Sequence, residues 1–187
     1  MKRIKFGLGL AILILLGMVS SASAYDWPMF RYDLQHSGYS PGRAPDTNHV
    51  LWSYQTGDQV YSSPAVANGK VYVGSDDSKL YCLDATTGAL IWSYQTGGLI
   101  ESSPAVANGI VYVGSWDHKL YALNATTGAL IWSYQTGGLI HSSPAVANGK
   151  VYFGSRDNKL YCLDATTGAL IWSYQTGASI DSSPAVA

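Results

Sequence analysis

Short apolar runs alternate with turn-forming clusters along most of the chain. In one stretch the runs are Ser63–Ala67, Lys70–Gly74, Lys79–Leu83 and Leu90–Gln95. Val71-Tyr72-Val73 and Ile91-Trp92-Ser93-Tyr94 are rich in the β-branched and aromatic residues that suit a pleated, half-buried surface. No run places apolar residues at i, i+3, i+4 and i+7, so the pattern predicts strands and no helix. Asn68-Gly69 separates the first two runs and is a hairpin signal, because a type I′ turn needs positive φ at both central residues. Asp76-Asp77-Ser78 fills the second gap and Asp84-Ala85-Thr86-Thr87-Gly88 the third. Each unit therefore reads as a four-stranded antiparallel meander, strands A to D.

The meander recurs with a period of 40 residues, beginning at Ser62, Ser102, Ser142 and Ser182. Trp52, Trp92, Trp132 and Trp172 keep the same step, as do Pro64, Pro104, Pro144 and Pro184. A fixed period of this size means repeat architecture. One meander cannot bury both its faces, so it must stack on its copies. Four strands per period of about 40 residues favours a ring of blades over a solenoid of shorter coils. Strand A is small throughout (Ser-Ser-Pro-Ala-Val-Ala), as crowding near a central axis requires. Strand D carries Leu90, Trp92 and Tyr94, as a wide outer rim allows. The expected fold is all-β, an incomplete β-propeller.

Outside the repeats the chain changes character. Residues 1–24 have a cationic start (Lys2, Arg3, Lys5), an apolar core Phe6–Val19 and the cleavage pattern Ala22-Ser23-Ala24, so they read as a signal peptide. The core is shorter than the ~20 residues a membrane span needs, and the mature chain is expected to begin at Tyr25 without a span. Residues 25–50 are broken by Pro28, Pro41 and Pro45 and are expected to be an irregular lead-in, with Trp27, Met29 and Phe30 as an apolar plug. Residues 51–187 are the partial propeller: an orphan strand D at 51–57, whole repeats at 62–101, 102–141 and 142–181, and an orphan strand A at 182–187. Propellers typically have about four to eight blades. The count therefore predicts a piece of a larger ring, or an open arc whose edge strands invite self-association.

The run Asp84-x-x-Thr87-Gly88-x-x-x-Trp92 recurs at Asn124–Trp132 and Asp164–Trp172. It resembles the tryptophan-docking motif of PQQ-like repeats, found in quinoprotein dehydrogenases and in the outer-membrane assembly propeller lipoprotein. Asp26-Trp27-Pro28-Met29-Phe30-Arg31 with His36-Ser37-Gly38 resembles the lead-in of secreted proteins built from such repeats. The resemblance implies that Trp52, Trp92, Trp132 and Trp172 dock on neighbouring blades beside Gly88, Gly128 and Gly168, a structural role. It also implies, for the dehydrogenase branch only, PQQ and calcium. The adjacent cysteines of that branch have no counterpart here, and its carboxylate and amide metal cluster cannot be matched.

Composition narrows the chemistry. Eleven Lys+Arg less the three in the leader leave eight against twelve Asp+Glu, a mature net charge of −4, with no basic patch for nucleic acid. Cys82 and Cys162 occupy the same strand C site two blades apart. Disulfide Cα separations stay under about 7 Å, so the two are expected to be small buried hydrophobes. The serines of Ser62-Ser63-Pro64 have no nucleophile elbow. Most of the fourteen tyrosines are repeat positions, which makes their abundance architectural rather than a sugar platform. Asn124-Ala125-Thr126 is a glycosylation sequon.

Differences between the repeats are confined. The sites that vary most are Tyr61/Glu101/His141/Asp181, Asp76/Trp116/Arg156 and Ser78/His118/Asn158. The first lies in the D–A connection and the others in the B–C turn, which share one rim of an up-and-down blade. The opposite rim is nearly uniform. This variety reads either as a recognition surface on a rigid scaffold or as drift in exposed turns. Trp116 is either an interface anchor or a ring lying flat on its neighbours. His118 and His141, near Asp117 and Asp157, lack the close spacing of a metal site, and solvated loop histidines are the commoner explanation.

Three functions remain. The first is a secreted, periplasmic or surface-displayed scaffold without catalysis or cofactor, binding a protein or cell-envelope component. The second is part of a PQQ-dependent dehydrogenase. The third is a glycan-binding module centred on Trp116.

Overall fold

A computed structural model describes residues 26–33 and 48–186. The signal peptide, its cleavage site, residues 34–47 with His36, and Ala187 lie outside the described residues. Twelve strands form three antiparallel sheets. The first blade contains β1 (Ala65–Ala67), β2 (Lys70–Gly74), β3 (Lys79–Asp84) and β4 (Leu90–Gln95). The second contains β5 (Ala105–Ala107), β6 (Ile110–Gly114), β7 (Lys119–Asn124) and β8 (Leu130–Gln135). The third contains β9 (Ala145–Ala147), β10 (Lys150–Ser155), β11 (Lys159–Asp164) and β12 (Leu170–Gln175). Each sheet is a meander in sequence order. The described residues form no helix, and the architecture is an incomplete all-β propeller.

The hairpin between β1 and β2 turns at Asn68 (φ 50°) and Gly69 (φ 71°), both left-handed as a type I′ turn requires. The same pair recurs at 108–109 and 148–149. Between β3 and β4, Cys82 pairs with Trp92 and Leu83 with Leu90, so Ile91 is an extra residue. This bulge is present in all three blades and bends the outer strand.

Blades pack face to face. Tyr72, Leu80, Cys82 and Ile100 of the first blade meet Val111, Val113, Tyr121 and Leu123 of the second in one buried cluster. Tyr112, Leu120, Ala122 and Ile140 meet Val151, Phe153, Tyr161 and Leu163 in the same way. Both faces of a middle strand are thus covered, which is why Val-Tyr-Val and Leu-Tyr-Cys-Leu are continuous apolar runs rather than alternating ones. Cys82 and Cys162 are buried free thiols, Cys82 in the first of these layers, and burial pushes the Cys82 thiol up to about 11. Gly74 is needed for the fit, because a Cβ there would lie 2.2 Å from Ile100 Cγ2.

The small strands A lie side by side across the blades. Their serines stitch them together at the entrance. Ser63 N–H donates to Ser103 Oγ at 2.9 Å, Ser103 N–H to Ser143 Oγ at 3.0 Å, and Ser143 N–H to Ser183 Oγ at 3.0 Å. The lead-in segment crosses the free edges of these strands. Trp27 and Val66 exchange backbone hydrogen bonds at 2.6 and 2.7 Å, and Val106 N–H donates to Pro28 O at 2.7 Å. Met29 is buried between the second and third blades. Residues 51–57 repeat the strand D sequence but belong to no sheet among the described residues, as do residues 182–186.

Candidate recognition face

The two rims are built differently. On the rim of the A–B and C–D turns, each docking indole reaches the following blade. Trp52 Nε1 donates to Ala85 O at 3.0 Å, Trp92 Nε1 to Ala125 O at 3.3 Å and Trp132 Nε1 to Ala165 O at 3.1 Å. Each ring presses on a glycine in the left-handed region: a Cβ on Gly88, Gly128 or Gly168 would stand 2.6 to 2.7 Å from the indole. Trp172, from β12, is exposed. Tyr72 and Tyr112 hydroxyls donate to the same alanine carbonyls at 2.9 and 3.0 Å. Asp84 Oδ1 accepts from Thr87 N–H at 2.8 Å and Thr86 N–H at 3.0 Å, which holds its carboxyl below the usual range. Asn124 makes the same turn, with its Oδ1 accepting from Thr126 and Thr127 N–H at 2.9 Å each. The uniform sequence of this rim is a record of that joinery.

On the other rim, each B–C turn is hydrogen-bonded to the D–A connection before it. Asp76 N–H donates to Gln59 O, Trp116 N–H to Leu99 O and Arg156 N–H to Leu139 O, each at 2.9 Å. A second bond strengthens the seam. Asp77 Oδ2 accepts from Gly57 N–H at 2.8 Å and from Tyr81 O–H at 2.5 Å, and Asp117 and Asp157 repeat this. Burial and the aspartate push the Tyr81, Tyr121 and Tyr161 hydroxyls up. Asp117 and Asp157 are therefore structural acceptors. Among the described residues, no group of three His, Cys, Asp or Glu side chains is placed to hold a metal.

The variable side chains decorate this seam. Ser78, His118 and Asn158 all have positive φ (67°, 71° and 68°), and their carbonyls accept from Thr96, Thr136 and Thr176 N–H at 2.8 Å. Glu101 Oε2 and His141 Nε2, 40 residues apart, meet in a hydrogen bond across neighbouring blades. Trp116 lies against His141 with ring centroids 6.2 Å apart. Arg156 Nε donates to Asp181 Oδ1 at 2.7 Å and Nη2 to Oδ2 at 3.2 Å. The Arg156 hydrogen bonds lower the Asp181 carboxyl despite its partial burial. Asp76 is the opposite: burial first, then Glu101, Asp58 and Asp77, hold its carboxyl above the ordinary value. Asp76 Oδ1 and Trp116 Nε1 are buried without a hydrogen-bond partner. Tyr61 is exposed, with its hydroxyl on Gln59. On this face Glu101, His141 and Trp116 form one linked group and Arg156 and Asp181 another. Sequence comparison of the repeats located the members of the face. The pairings between them come from the fold.

Stacked four-stranded meanders, docked through a tryptophan on a glycine turn, define a propeller-type repeat protein. The family described as "Outer membrane protein assembly factor BamB" matches residues 43–183, and the chain belongs to that PQQ-like repeat family. BamB from Moraxella catarrhalis is similar at 25% identity and a TM-score of 0.61, over 67% of this chain and 40% of that one. A quinohemoprotein alcohol dehydrogenase from Comamonas testosteroni is similar at 29% identity and a TM-score of 0.70, over 80% of this chain and 27% of that one. A europium-containing methanol dehydrogenase shares the fold at 23% identity and a TM-score of 0.68, covering 79% of this chain and 31% of that one. The chain thus spans less than half the length of these structures. None of the curated proteins compared matches it.

Proposed function

We propose that the chain is an exported, non-catalytic propeller scaffold that docks a protein or cell-envelope component on the rim from Tyr61 to Asp181. The observation that carries this reading is the division of labour between rims. One rim has its polar atoms committed to docking blades and to closing its own turns, whereas the other holds acids, His, Arg and an aromatic ring on a rigid seam. Family membership supports it, since the matched description is that of an assembly factor. Export rests on the N-terminal pattern of residues 1–24.

The test is crosslinking in the cell envelope of the source organism. A photoreactive p-benzoylphenylalanine replaces Tyr61, which is 65% exposed, or Ala129 on the uniform rim. A specific adduct from position 61 and none from 129 is the expected result. Equal labelling from both would overturn the assignment.

The likeness to a quinohemoprotein dehydrogenase supports a second reading, a segment of a PQQ enzyme. The described residues do not fit that cofactor. The two cysteines are buried in separate blades, and no carboxylate cluster accompanies them. Dye reduction on addition of PQQ and calcium would favour this reading over the first.

A further inference from the structure

The contact between blades is made twice within the chain and left open once. Trp92 and Trp132 close on the Gly128 and Gly168 turns, and Leu120 and Ala122 of the second blade are buried against the third. The third blade carries the same outer face in Tyr152, Leu160, Cys162, Trp172 and Tyr174. Its rings are already arranged for contact. Tyr152 and Trp172 lie 6.1 Å apart at 51°, against 5.9 Å and 50° for Tyr112 and Trp132 in the closed contact. Yet Trp172 is 42% exposed and Tyr174 65% exposed, and Tyr152 and Leu160 are half-buried where Tyr112 and Leu120 are buried. The face is formed and uncovered, as an interaction surface is.

Its complement is on the first blade. Val71, Val73, Tyr81 and Leu83 correspond to Val111, Val113, Tyr121 and Leu123, the residues of the second blade that receive the first. They are covered by Trp52, Tyr54 and Val60. The sequence around that cap is duplicated: residues 52–57 and 62–67 recur letter for letter at 172–177 and 182–187. The two copies of the segment differ in support. Residues 51–57 belong to no sheet among the described residues, whereas Trp172 sits in β12, paired along β11. Residues 182–186 likewise belong to no sheet, whereas β1 is paired with β2.

We propose that the outer face of the third blade docks on the first blade of a second copy of this chain, with Trp172 taking the place of Trp52 on the Gly88 turn. The exchange releases residues 51–57 of the second copy and residues 182–186 of the first. Each is replaced by an identical sequence that belongs to a whole blade. Trp172 Nε1 then donates to the Ala85 carbonyl of the second copy, as Trp52 does, and Tyr174 meets Tyr81 as Tyr54 does. More apolar surface leaves water than the cap alone covers, because Tyr152 and Leu160 are buried with the two rings. The contact is head to tail, and exchange of an identical element between copies is a ready route to it. Two arcs of three blades give six, within the range of about four to eight at which propellers close.

The test is the mass of the purified chain in analytical ultracentrifugation over a range of concentrations. A dimer is expected where the arcs close, and a ladder of larger species would carry the same contact without closure. Trp172→Ala should weaken association at least tenfold and leave the denaturation midpoint of the monomer in place, because its indole is exposed there. Trp52→Ala empties the seat and should strengthen association, a gain that is lost when both tryptophans are replaced. Indiscriminate stickiness would not give opposite effects from two tryptophans in the same local sequence. Photoreactive p-benzoylphenylalanine in place of Tyr174 should label β3 near Tyr81 of the second copy, a readout independent of whether the tryptophan variants fold. A monomer at every concentration, association untouched by Trp172→Ala, or adducts that map away from β3 would overturn the proposal. So would a native chain with a further repeat after Ala187 that covers Trp172 itself.

Discussion

The rim of the A–B and C–D turns and the rim of the B–C turns and D–A connections are edges of the same blades, yet they tolerate change differently. In the first, Gly128 lies against Trp92, and the carbonyl of Ala125 accepts from both Trp92 and Tyr72. A side chain added at Gly88, Gly128 or Gly168 would collide with a ring. In the second, the joints are made by backbone and by the invariant Asp77, Asp117 and Asp157, so neighbouring side chains are released from that duty. Variation is permitted where the backbone does the joining.

The comparison can be broken most severely at the docking glycine. Gly128→Val forces a β-branched residue into φ 73° and places its Cβ about 2.7 Å from the Trp92 ring. The combined strain and overpacking should cost about 3 kcal/mol or more, read as a lower midpoint in chemical denaturation. Trp132→Ala removes a half-buried indole and its bond to Ala165, for an expected loss of about 3 kcal/mol. Either substitution with near-wild-type stability would mean that the uniform rim is not a joint.

Asp117→Ala tests the seam beneath the variable rim. It leaves the N–H groups of Gly97 and Lys119 and the Tyr121 hydroxyl without their acceptor, and should cost about 2 kcal/mol. By contrast, Arg156→Ala breaks an exposed ion pair and should change stability by under about 1 kcal/mol. A larger loss from Arg156 than from Asp117 would reverse the assignment of structural and free residues on this rim.

The smallest effect concerns pH. The Asp76 carboxyl is raised in the folded state, so the folded protein binds its proton more readily than the unfolded chain does. Its ionisation therefore destabilises the fold at neutral pH, and that penalty is relieved as pH falls through the raised value. Asp76→Asn should be slightly more stable than the unsubstituted protein at neutral pH, by a few tenths of a kcal/mol after solvent screening, roughly the scale of exposed charge effects. The difference should fade in acid, as differential scanning calorimetry across pH would show.

Much of this was legible beforehand. Asn68-Gly69 announced a type I′ hairpin, the short apolar runs announced strands, and the resemblance of the Asp84–Trp92 run to PQQ-like repeats implied the docking turn. The Ile91 bulge was not legible, because nothing local distinguishes an extra residue in a strand from a paired one. The seryl seam was read only as small residues near an axis, since its hydrogen bonds join positions 40 residues apart. The candidate site was legible as a set of varying positions and illegible as a set of partners.

The sequence by itself determined the all-β class, the four-stranded unit and its period, because strand and turn propensities act over a few residues and the repeat copies them without slippage. Only the tertiary structure decided which side chains on the variable rim meet. Arg156 finds Asp181, Glu101 finds His141, and Asp76 faces another acid, through the stacking of blades that brings the B–C turn beside connections distant in the chain. Those pairings depend on long-range packing, on which local sequence carries no information.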